Sequence, residues 1–142
     1  MLPIIFSAFV CCFALERLRP GWPLPVVRGW WWRVVAVNGA QLAIVVVSGF
    51  TWERWAAHAS LLHLSEHLGP AAGGLIAYLV ATFVFYWWHR ARHEVDWLWL
   101  GFHQIHHSPA RLEVITSFYK HPVEMTVNSI IGSVLVYALL LE

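Results

Sequence analysis

Charge is what this sequence has least of. Lysine, arginine, aspartate and glutamate make up 12% of its 142 residues, and hydrophobic residues make up 59%. A soluble domain carries about 25% charged residues, so this composition points away from one and towards a chain with several membrane spans. The net charge is +1 and no basic stripe occurs, which removes the electrostatic footprint a nucleic-acid partner requires. Cysteine is nearly absent. Cys11 and Cys12 are adjacent inside an apolar run, which excludes a disulfide framework and any Cys-x-x-Cys site, and they read as small apolar side chains. The first apolar run lacks a basic leader and a small-residue cleavage site, so a cleaved signal peptide is the weaker reading of it. No internal repeat or low-complexity segment stands out.

Long uncharged runs and tryptophan are what the chain does have. Residues 1–15, 34–52, 70–88 and 125–141 carry no charge, and each approaches or reaches the length that crosses a ~30 Å hydrocarbon core. In lipid the backbone must bond to itself, so the expected fold is all-α, with about four membrane helices. Residues 1–69 read as an N-terminal membrane region in which residues 53–69 form an interfacial segment. Residues 70–142 read as a second unit opened by Pro70, with a helix that continues beyond the apolar run through His93. Asn38 and Gln41 are expected to bond between helices, and Gly132 with Ser129 and Ser133 to permit close packing. Many of the ten tryptophans stand where apolar runs end, as in an interfacial belt. Arg17, Arg19, Arg28 and Arg33 follow the first run, Arg54 alone follows the second, and Arg90, Arg92, Arg111 and Lys120 follow the third. By the positive-inside rule this pattern puts residues 89–121 on the cytoplasmic side.

Five of the nine histidines crowd between positions 89 and 107. His89 and His93 are four apart, and His103, His106 and His107 keep helical spacing, so two helices could present five imidazoles to one small volume. Clustered imidazoles repel one another when protonated, and a metal that holds them neutral offsets that cost. Imidazole suits iron, copper, nickel and zinc rather than magnesium or calcium. Glu94 and Asp96 are expected in solvent or as partners that orient imidazole N–H groups, while Arg90 and Arg92 read as interfacial anchors or as neutralisers of nearby carboxylates. His63 and His67 repeat the four-residue spacing, but topology puts them on the other side of the membrane. A zinc-protease helix is excluded because Trp97 stands where its second histidine is required. Soluble di-iron bundles need Glu-x-x-His pairs that are absent, and a transmembrane haem needs histidines inside the spans. Three readings stay open: a metal-dependent enzyme, a histidine-rich metal-binding or transport module without catalysis, and histidines that serve as a proton relay or plain interfacial anchors.

The stretch Tyr86-Trp87-Trp88-His89-Arg90-Ala91-Arg92-His93, then Leu98-Trp99, Phe102-His103-Gln104-Ile105-His106-His107-Ser108 and Lys120-His121-Pro122-Val123-Glu124, resembles the fatty acid hydroxylase and sterol desaturase superfamily over roughly residues 75–142. The resemblance implies an integral membrane non-haem di-iron enzyme that takes O2 and electrons from a redox protein to hydroxylate or desaturate a membrane lipid. It implies His89, His93, His103, His106 and His107 as iron ligands, and matches His121 to a recurring His-Pro of that family. A separate family of acyl-lipid desaturases shares the metal chemistry. Thr82 stands where an acidic residue is common. The further His-x-x-His-His box that members carry is not in these residues, so the chain is expected to be an N-terminal fragment.

Overall fold

The computed structural model describes residues 2–56, 62 and 64–140, and among these every regular element is helical. The elements are α1 (Leu2–Leu18), α2 (Trp30–Phe50), α3 (Trp52–Ala56), α4 (Leu64–Glu94), α5 (Asp96–Leu98), a π turn (Trp99–His103), α6 (Gln104–His107), a 3-10 turn (Val114–Phe118) and α7 (Pro122–Leu140). Two helical segments, Trp30–Ala56 and Glu66–Glu94, are long and apolar enough to cross a membrane, and only 11% of the most apolar window of each is buried. A soluble core helix would be mostly covered. Here Val35, Leu42, Leu79 and Phe83 face outwards instead.

Local sequence explains the breaks. Gly29 precedes α2 at φ 71°, and Gly69 bends α4 at φ 77°, conformations that side chains with a Cβ rarely take. Pro70 follows that bend and opens the straight apolar part of α4, which runs on to Glu94 as the spacing predicts. At the other end of α4, Val95 is extended (φ −104°, ψ 111°). The chain turns there, and α5, the π turn and α6 fold back on the end of α4.

A small core of Trp30, Val34 and Tyr119 ties the start of α2 to the end of the 3-10 turn, with the Trp30 and Tyr119 rings stacked 5.9 Å apart. The loop leading to that turn is bolted to α1. Arg17 and Arg111 both pair with the buried Glu113 carboxylate, and the Val114 N–H donates to Glu16 (3.0 and 3.1 Å). Helix α7 packs on α4, where Trp88 Nε1 donates to Asn128 Oδ1 (2.8 Å) and Phe85 lies against Gly132. The expected interhelical bonds from α2 are not made: Asn38 Nδ2 and Gln41 Oε1 are buried without a partner among the described residues. His63, which the spacing pairs with the exposed His67, lies outside the described residues.

Candidate metal centre

The extended end of α4 carries His89 and His93 on one face, their rings 4.8 Å apart. The reversal at Val95 brings His103, at the end of the π turn, and His107, one turn later on α6, against them. The ligand atoms of these four residues lie within 4.8 Å of one another. Their Nε2 atoms form a chain: His89 to His93 at 3.1 Å, His93 to His103 at 3.2 Å, and His103 to His107 at 3.2 Å. Trp99 lies beside three of the rings, 5.3 to 5.9 Å away.

Behind the cluster stands a carboxylate that the sequence reading left without a role. Glu124, in the first turn of α7, is 1% exposed, and its Oε2 lies 3.1 Å from His103 Nδ1. Its other oxygen pairs with Arg92, which is also buried. Arg92 in turn donates to His89 Nδ1 (3.1 Å) and stacks on Trp88. Of the two places expected for Glu94 and Asp96, the structure gives the solvent-exposed one, and neither orients an imidazole. Glu94 is exposed and holds Arg90 at 2.7 Å, and Asp96 faces solvent. The available signal was a lone carboxylate at the head of an uncharged run, two residues after Pro122.

Proton accounting shows what the arrangement accommodates. Burial, the largest cause, holds His103 below the ordinary imidazole value of 6.5 and outweighs the opposing pull of Glu124. His103 is therefore neutral at pH 7. Its single proton sits on Nδ1, donated to Glu124, and its Nε2 keeps one bare lone pair. That lone pair meets both His93 and His107 at 3.2 Å, yet it can accept only one hydrogen bond. One of the two contacts must lack a proton, and a cation among the nitrogens satisfies both. Nitrogens about 2.0–2.1 Å from one ion stand about 2.9 Å apart at right angles and about 3.4 Å apart in a tetrahedron, which brackets the observed spacing. The donor set fits an imidazole-preferring transition metal. His89 differs from the others: Arg92 occupies its Nδ1, so its proton rests on Nε2 until that contact is exchanged.

His106 is not part of this group of four. Its Nδ1 lies 3.2 Å from the Tyr119 carbonyl, which the Trp30 stack and the Glu113 ion pairs hold in place. Its ring lines an open cleft of about 740 Å³ together with Glu16, Trp22 and His107. His121 Nδ1 accepts the Val123 N–H (3.1 Å) at the start of α7 and also lies outside the group. The expected result is that His106→Ala keeps one bound metal ion per chain whereas His103→Ala does not; elemental analysis of the purified chain reads both. Equal loss in the two variants would contradict the placement of His106.

The fold and site define a helical protein with largely exposed apolar helices and a cluster of four imidazoles that could hold a metal ion, backed by a buried carboxylate. Residues 74–142 match the family model for fatty acid hydroxylase, and the chain is similar to that superfamily over this segment. It is 41% identical over 51 residues to methylsterol monooxygenase 2-2 of Arabidopsis thaliana and to very-long-chain aldehyde decarbonylase GL1-11 of Oryza sativa subsp. indica. Each match covers 36% of this chain and 19% of the relative, so it spans about a fifth of the length of these curated proteins. No solved structure matches the chain.

Proposed function

We propose that this chain forms part of a membrane-bound, O2-dependent non-haem di-iron oxidoreductase that acts on a lipid C–H bond, by hydroxylation or desaturation. The observation that carries the reading is the convergence of His89, His93, His103 and His107 on one point, with Glu124 fixing the ring of His103. Iron bound there supplies the O2 chemistry, and the protein holds the ligands and the lipid. The chain's own contribution is positional. Glu124 keeps the His103 proton on Nδ1, and Trp99 packs beside the rings of His93, His103 and His107. His106, its Nδ1 directed at Tyr119, presents its other nitrogen as a ligand for the second ion of the pair. In the proposed topology α1 and α7 join α2 and α4 as membrane spans, the histidines face the cytoplasm, and a redox protein delivers electrons to that face. A transporter reading is disfavoured because the ligands sit at the end of α4 rather than within its apolar run.

Metal analysis of the detergent-purified chain tests this. Iron should be present in wild type and lost from a His103→Ala, His107→Ala double variant. Equal iron in both, or iron in neither after anaerobic loading, would overturn the assignment.

A further inference from the structure

We propose that Lys120 anchors the head of a lipid in a two-chambered cavity between α2, the 3-10 turn and α7, and that this head is a carboxylate. The proposal rests on the reading of the chain as a lipid-oxidising protein and names its class of ligand. Among the described residues the other buried or site-flanking cations are each answered: Arg17 and Arg111 by Glu113, Arg90 by Glu94, and Arg92 by Glu124. Lys120 is half-buried and makes no hydrogen bond or ion pair among the described residues. Glu124, the acidic group it senses, is already occupied by Arg92 and His103. Burial, the largest cause, pushes the Lys120 ammonium below its ordinary value, a penalty that an anion beside it would relieve.

The space beside Lys120 has the shape of an amphiphile. A cavity of about 390 Å³ is lined by Lys120, Asn128, Gln41 and two serines together with Val45, Phe118 and Met125. A second cavity, of about 330 Å³, shares Gln41, Val45 and Phe118 and continues past Asn38 and Leu42 to Phe9. Both volumes fall in the ~300–1,000 Å³ range of small-molecule sites. One end therefore offers a positive charge with no ion-pair partner among the described residues, and the other a mainly apolar wall in which Asn38 and Gln41 are the polar side chains. Lys120 also follows Tyr119, whose carbonyl faces His106, and stands four residues before Glu124. The polar chamber thus abuts the network behind the imidazoles.

Competition binding of labelled palmitate to the full chain in detergent, against unlabelled palmitate, hexadecanol and lysophosphatidic acid, tests the assignment. The acid should bind at least about tenfold more tightly than the alcohol, the effect of one charge-assisted hydrogen bond. Lys120→Met should erase that preference while leaving hexadecanol affinity and metal content unchanged, and Lys120→Arg should retain it. Equal binding of acid and alcohol to wild type, a preference that survives Lys120→Met, or tighter binding of lysophosphatidic acid than of palmitate would each overturn it. Metal content measured on the same samples separates the two readings. Metal-free wild type that still prefers palmitate upholds the cavity and undercuts the oxidase, whereas metal-loaded protein without the preference does the reverse.

Discussion

Glu124→Ala should destabilise the folded chain by about 3–5 kcal/mol, the cost of removing one partner from a buried ion pair. Arg92 is 4% exposed and Glu124 1%, so after truncation the guanidinium has neither water nor a counter-ion. The same change frees His103 Nδ1, and with it the tautomer that leaves Nε2 bare. Glu124→Gln separates the two effects. Its amide fills the same space and can still offer Arg92 an oxygen, so the loss of stability should be smaller. It can also turn an N–H towards His103 and force the ring proton onto Nε2. A loss of metal affinity of about 10–100-fold is then expected, the usual scale for removing a partner that orients a ligand. Denaturant unfolding in detergent reads the first effect and metal titration the second. Wild-type affinity in Glu124→Gln would show that the carboxylate serves the fold alone.

Acid should release the metal steeply, and only below the range where free imidazole titrates. Burial is the largest cause holding both His103 and His107 below 6.5. Neutral rings bind metal and protonated rings do not, so affinity should stay nearly flat as pH falls from 8 to 6.5. Once both rings titrate, each costs tenfold per pH unit, and the loss reaches about 100-fold per unit. Stability of the metal-free chain follows the same sign. Between the folded value and 6.5 the unfolded chain binds more protons than the folded one, so the contribution of these rings is present above 6.5 and is lost as pH falls through the folded value. Metal titrations at stepped pH check the first part, and unfolding of the chelator-treated protein checks the second. A decline in affinity that begins above pH 6.5 would contradict the lowered proton affinity of the two rings.

Much of the site was legible because helical spacing is local. His89 with His93, and His103 with His107, each fall on one face at four-residue separation, and the structure brings both pairs together. The helix that carries the first pair past the apolar run could be read from the absence of any breaker between Pro70 and Glu94. His106 could not be placed from spacing. It shares its segment with His103 and His107, but a backbone carbonyl 13 residues away holds its ring, and carbonyls leave no mark in sequence. Asn38 and Gln41 show the converse error. Polar residues in an apolar run suggested interhelical bonds, yet one side-chain atom of each is buried without a partner.

Composition and period alone settled that the chain is helical, strongly apolar and equipped with two pairs of imidazoles. Those properties depend on hydrophobicity and on residues three or four apart, which sequence displays directly. Tertiary structure decided how the pairs meet, through the reversal at Val95, and which acid serves them. Glu94 and Asp96 are nearer in sequence, but Glu94 is held by Arg90 in solvent and Asp96 is exposed. Glu124 reaches His103 because α7 packs along α4 and buries its first turn beside Arg92. A buried carboxylate requires such partners, and only packing between distant segments supplies them.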